Sequence, residues 1–156
     1  MVKSAIGTDL AATLKVVAAG CAALQDDWWV FGGAAMALAG VQGLCPPDVD
    51  LIVSERDAAS LIITWRAQVE TGAPSQLFRS KVFARTTIAP LPIEIMAGFE
   101  VCESGAWSAV LPATRQLAAF SAGAIFIPTP AEQAEICRRF GRPKDLARVD
   151  ALQALG

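Results

Sequence analysis

The sequence contains no histidine. That absence removes Ser-His and Cys-His nucleophile pairs and every histidine-based zinc or iron site, so any acid-base or metal chemistry has to come from carboxylates. A surplus of positive charge is missing too: 13 Lys and Arg stand against 15 Asp and Glu, a net charge of −2, which disfavours a nucleic-acid coat. The four cysteines, Cys21, Cys45, Cys102 and Cys137, stand singly. Without CxxC spacing to hold zinc or exchange disulfides, they read as small buried hydrophobes of a reducing cytoplasm. There is no internal repeat, low-complexity tract or linker. With 54% hydrophobic and 18% charged residues, disorder is excluded.

A leader peptide and a membrane span are also disfavoured. Ala18-Ala19-Gly20-Cys21 has the small residues of a lipoprotein cleavage site, but Asp9 and Lys15 interrupt the apolar stretch that should precede it. The run from Trp28 to Pro47 carries no charge, yet Gly32-Gly33, Gly40, Gly43 and Pro46-Pro47 punctuate it too heavily for one spanning helix. The expectation is a single cytoplasmic domain over residues 1–156, with no membrane segment; a chain of this length can bury roughly two-thirds of its unfolded surface in one core.

Periodicity sets the expected elements. Leu10, Leu14, Val17, Cys21 and Leu24 mark an amphipathic helix over about residues 9–25, ended by Asp26-Asp27. Trp28 to Phe31 reads as a strand, Gly32-Gly33 as a turn and Ala34 to Ala39 as a helix. Asp48 to Val53 is a strand, and Ser54 caps a helix whose apolar face holds Ala58, Leu61, Ile62, Trp65 and Val69, stopped by Gly72-Ala73-Pro74. Extended segments over 77–88 and 92–101, separated by Ala89-Pro90-Leu91, should pair antiparallel, and 115–120 with 124–127 should form a small hairpin. Thr129-Pro130 opens a helix to Phe140, and Pro143 starts a last one to Leu155. The fold class is α/β (α+β), a small mixed sheet flanked by helices.

Chemistry concentrates on three acids. Asp48 and Asp50 lie two apart on a strand, so they project from one face, about 7 Å apart at their Cα atoms. Val49 and Leu51 point into the core. Two repelling carboxylates on a rigid strand demand a cation, and hard oxygen ligands suit Mg²⁺ or Mn²⁺. Glu94 is a lone charge among Ile93, Ile95 and Met96 and needs a partner. If its strand lies beside that of Asp48 and Asp50, three carboxylates converge and can hold two divalent ions. Gly32-Gly33, where strand turns into helix, offers backbone N–H groups to phosphate oxygens, although a packing turn for close helix-sheet approach is the commoner reason for such a pair.

The stretch Val30-Phe31-Gly32-Gly33-Ala34, followed by Asp48-Val49-Asp50-Leu51, resembles the signature of the polymerase-β-like nucleotidyltransferase superfamily. Glu94 matches its third carboxylate, and Phe140-Gly141-Arg142-Pro143-Lys144-Asp145-Leu146-Ala147 resembles an element of a small bacterial, toxin-like branch. The resemblance implies that Gly32 and Gly33 hold a nucleotide's phosphates, that Asp48 and Asp50 coordinate the metal ions, and that Glu94 ligates the catalytic one and helps deprotonate the acceptor. It implies transfer of a nucleotidyl group from a nucleoside triphosphate to a hydroxyl on a small molecule such as an antibiotic, a protein or a tRNA end. Arg142 and Lys144 are the candidates for the triphosphate's charge, against a plain Arg-Asp or Lys-Asp contact at a helix start. Two departures stand out: Leu44-Cys45-Pro46-Pro47 lacks the basic and Ser or Thr residues that many members carry before the first Asp, and Ala34 replaces a common Ser. The first favours the alternative of an inactive nucleotide- or partner-binding module.

Other features have plainer readings. One of Trp28 and Trp29 should face each side of the sheet, and Trp65 belongs to the core. Trp107 sits in a short loop segment that could line an acceptor pocket. Arg79, Lys81 and Arg85 alternate along one strand face, and Glu100 and Glu103 are surface acids. The alanine content leaves room for a homodimer or a cognate partner.

Overall fold

The computed structural model describes residues 6–71 and 75–155. The elements are helix α1 (Thr8–Cys21), strand β1 (Trp29–Phe31), α2 (Gly32–Ala39), β2 (Val49–Ile52), α3 (Glu55–Trp65), β3 (Gln68–Val69), β4 (Phe78–Arg79), β5 (Val82–Thr86), β6 (Ile93–Ala97), β7 (Glu100–Glu103), β8 (Ala106–Ala109), β9 (Gln116–Leu117), β10 (Phe126–Ile127), α4 (Pro130–Phe140) and α5 (Pro143–Gln153). No helix among the described residues is long and apolar enough to cross a membrane.

The main sheet is mixed, in the order β1-β2-β6-β5-β3, with β2 and β6 parallel and the other neighbours antiparallel. Register explains its two faces. Val30, Leu51, Ile95 and Ala84 form one row across four strands, and all are fully buried. This row packs against Leu14 and Val17 of α1 and Leu61 and Trp65 of α3. On the opposite face Trp29, Ile52, Met96 and Phe83 form a second row, packed with Phe99, Val101 and Ile136. Trp28 and Trp29 divide between the two faces as expected; Trp28 meets Phe126 edge-on at 5.5 Å, and Trp29 Nε1 donates to the Thr114 carbonyl at 2.9 Å.

The chain enters β1 through a turn held by Asp57, which is 1% exposed and accepts from the backbone N–H groups of Gln25 at 3.0 Å and Asp26 at 2.9 Å. Asp57→Ala strands both donors and is expected to cost about 2–3 kcal/mol in urea denaturation; a loss below 0.5 kcal/mol would mean that water replaces the carboxylate freely.

Several boundaries differ from expectation. α1 stops at Cys21 rather than near Gln25. The helix foreseen to Val69 ends at Trp65: Arg66 turns left-handed at φ 49°, and Gln68 and Val69 pair with Arg85 and Ala84 as β3. Thr86 Oγ1 donates to the Trp65 carbonyl, so the neighbouring strand supplies the stop. The expected stop at residues 72–74 lies outside the described residues. The 77–88 and 92–101 segments do pair antiparallel, through β5 and β6, but each breaks in two. Gly98, at φ 62°, turns the chain after β6, sending β7 into a second sheet of order β4-β7-β8. Arg79, Lys81 and Arg85 therefore do not share one face: Arg79 bonds Glu100 at 2.8 Å, while Arg85 faces Glu94 across β5 and β6. Glu103 likewise is paired, with Arg139 at 3.2 Å. Trp107 belongs to β8 rather than to a loop, with the Arg79 guanidinium 4.3 Å above its ring. Cys21 and Cys137 are buried as expected, but Cys102, in β7, is only half-buried and Cys45, in the segment leading into β2, is exposed. The small hairpin is β9 with β10, and both C-terminal helices start at their prolines as read from the sequence.

Candidate active site

Asp50 and Glu94 are direct partners in the parallel β2–β6 pairing, which sets their side chains side by side on the face opposite the Leu51 row. Asp48, two residues before Asp50, joins them. One carboxylate oxygen from each of Asp48, Asp50 and Glu94 lies within 4.8 Å of the others, a donor set fit for a hard divalent ion. A second observation supports the fit: Asp50 Oδ1 is buried and has no hydrogen-bond partner. Burial pushes the Asp50 carboxyl up to about 9, helped by the neighbouring carboxyl groups of Glu94 and Asp48 and opposed by the Arg148 guanidinium. On the far side, Arg85 Nη1 stands 3.8 Å from Glu94 Oε1.

Gly32 and Gly33 are the first residues of α2, not a turn ahead of it. Gly32 holds φ 68°, and a Cβ there would stand 3.1 Å from Asp50 Oδ2, so a side chain would be strained and would crowd the acid. The helix follows extended Phe31 and has no side-chain cap, leaving its first N–H groups to face the acids.

These groups open into a cavity of about 460 Å³, a size typical of small-molecule sites. Its floor is apolar and aromatic, including Phe31, Phe78, Phe83, Met96, Phe99 and Phe140; its rim carries Arg142, Lys144 and Arg148. Every residue singled out in the sequence, Gly32, Gly33, Asp48, Asp50, Glu94, Arg142 and Lys144, therefore lines one cavity. Trp107 does not line it.

The three rim cations differ in their partners. Arg142 is clamped: its Nε and Nη2 donate to the fully buried Asp145 at 2.6 and 3.1 Å, and its guanidinium lies 4.9 Å from the Phe78 ring centroid. Lys144 is exposed in the first turn of α5. Arg148, which sequence reading missed, follows Lys144 by four residues and so shares its helix face, the signal that could have found it.

No protein-family model and no curated protein matches the chain by sequence. Solved structures do match. TM1012 of Thermotoga maritima, a proposed nucleotidyltransferase, has a TM-score of 0.71 at 16% identity over 91% of this chain and 91% of that one. The antibiotic-resistance factor ANT(2'')-Ia has a TM-score of 0.62 at 11% identity, over 96% of this chain and 85% of that one. The lincosamide antibiotic adenylyltransferase LnuA, with lincomycin bound, has 0.56 at 12% identity, over 83% of this chain and 87% of that one. At these identities the matches speak for the backbone, and they agree: the chain has the fold of these nucleotidyltransferases.

Proposed function

We propose that this protein transfers a nucleotidyl group from a nucleoside triphosphate to a hydroxyl of a small-molecule acceptor. The observation that carries the reading is the convergence of Asp48, Asp50 and Glu94 beside the uncapped start of α2, within one cavity. Asp48, Asp50 and Glu94 would hold Mg²⁺ or Mn²⁺, which when bound neutralises charge on the reacting phosphates. The N–H groups of Gly32 and Gly33 donate to phosphate oxygens, with Arg142 and Lys144 adding positive charge at the rim. The acceptor oxygen forms a bond to the α-phosphorus as the bond from that phosphorus to the bridging oxygen breaks. Pyrophosphate leaves, and Glu94 takes the hydroxyl proton. The aromatic floor excludes water from this exchange and offers an apolar surface for a base or an acceptor ring.

A small-molecule acceptor is preferred over a protein or a tRNA end because ANT(2'')-Ia is known with adenylyl-2''-tobramycin and LnuA with lincomycin. The second reading, a catalytically silent nucleotide-binding module, is favoured by the uncharged Leu44-Cys45-Pro46-Pro47 run, whose two prolines line the cavity.

Thermal unfolding with ATP, GTP, CTP and UTP, each with Mg²⁺ or Mn²⁺, followed by pyrophosphate release with aminoglycosides and lincosamides, separates the readings. A nucleotide at about a hundred times its Kd adds roughly 2.7 kcal/mol, several degrees in a domain of this size. A metal-dependent upshift with turnover is the expected result. An upshift without pyrophosphate release for any acceptor points to the silent module, and no upshift with any nucleotide overturns both.

A further inference from the structure

Arg148, like the exposed Lys144, is a rim cation with no hydrogen bond or ion pair among the described residues, but it is the partly buried one of the two. A guanidinium carries five N–H donors. Arg142 differs, because two of its nitrogens are already spent on Asp145. Arg148 also stands at an informative place. Its Nη2 is 3.7 Å from the position of a Cβ on Gly33, so the guanidinium lies over the uncapped N-terminus of α2 and lines the same cavity as the three acids. The Pro46 side chain, from the uncharged run before Asp48, is the other close neighbour of that position, at 3.5 Å. Nothing on the Asp48 side supplies a cation there; α5 does.

We propose that Arg148 is a polyphosphate-binding residue, gripping the β- and γ-phosphates of the nucleotide, and the pyrophosphate product, over Gly33. This rests on the nucleotidyl-transfer reading and names a contact within it. The geometry favours an anion with several oxygens: the free fork can donate two parallel hydrogen bonds, and the first N–H groups of α2 converge on the same space from below. A nucleoside monophosphate, with its single phosphate held near the acids, leaves Arg148 unused.

The test compares wild type with Arg148→Ala and Arg148→Lys by calorimetric titration with ATP, AMP and inorganic tripolyphosphate, all with Mg²⁺. Arg148→Ala should weaken ATP and tripolyphosphate by about 10- to 100-fold, leave AMP within about twofold, and be partly rescued by Lys. In turnover assays the loss should fall mainly on KM for the nucleotide. If Arg148→Ala fails to fold, the Lys variant and Arg148→Gln, which keep the stem, carry the comparison. Equal tripolyphosphate affinity in wild type and the variants overturns the proposal and leaves the proposed function standing. A wild type that binds neither nucleotides nor tripolyphosphate overturns both.

Discussion

Asp50→Asn is expected to abolish nucleotidyl transfer and, in the same protein, to raise the stability of the metal-free form. On the proposed function, activity falls because the carboxylate paired with Glu94 in the β2–β6 register is one of the three that would hold the divalent ion; losing several kcal/mol of charge stabilisation corresponds to about a thousandfold or more in rate. Stability rises for the opposite reason. The folded chain holds the Asp50 proton up to about 9, whereas an unfolded aspartate releases it near 3.8. Between those values the folded state binds more protons, so stability is fully present below about pH 4 and is lost as pH climbs, by up to ~1.4 kcal/mol per unit. Asn carries no such cost. In chelator, melting of the variant should match wild type near pH 4 and exceed it progressively through pH 8, at about 2–4 °C for each kcal/mol recovered. A variant that melts below wild type at pH 8 would falsify this account of the acidic cluster. Saturating Mg²⁺ should narrow the difference, because a bound cation favours the ionised wild-type carboxylate.

Arg142→Ala should be the most destabilising single change at the site. Asp145 is fully buried and receives the Arg142 backbone N–H at 3.2 Å together with both guanidinium contacts. Truncating Arg142 leaves a buried carboxylate with its charge partner gone, a class of change that costs about 3–5 kcal/mol. The guanidinium also packs over Phe78 and Phe140, so ring contacts are lost with the charge. The midpoint should drop by about 10 °C in a chain of this length. Arg142→Lys recovers only part, since an ammonium cannot reproduce the fork. The informative comparison is Arg142→Leu with Asp145→Leu: the double variant should be more stable than Arg142→Leu alone, because the orphaned charge is gone. If Arg142→Ala unfolds within about 0.5 kcal/mol of wild type, the clamp contributes nothing and Arg142 is free to serve the ligand.

The local parts of this molecule were legible in its sequence because their causes are local. Thr129 and Pro130 start α4, with Thr129 accepting from Glu132 N–H, and Pro143 starts α5; cap and ring geometry act over a few residues. The alternation of Asp48, Val49, Asp50 and Leu51 put the acids on one face and the apolar residues at 0% exposure on the other. The end of α3 was not legible in the same way. Ile62, Trp65 and Val69 continue a helical stripe, and what stops the helix is Thr86 on a distant strand together with the pairing of Val69 with Ala84. The break between β6 and β7 depended on Gly98 taking a left-handed turn, which an apolar run gives no reason to expect. Arg148 was overlooked because a lone arginine on a polar helix face looks solvated until α5 is docked against α2 and α4.

By itself, then, the sequence determined two acids on one face at the start of a strand, Asp48 just ahead of β2 and Asp50 within it, a glycine pair between a strand and a helix, and the isolated Glu94, each a consequence of backbone period or side-chain chemistry within a few residues. Only the tertiary structure decided that β6 lies beside β2 in the register that pairs Asp50 with Glu94, that Asp145 occupies Arg142, and that Arg148 is left over Gly33. The reason is physical: strand order and helix docking are chosen by which apolar rows bury together across the whole chain, and that choice has no local signature.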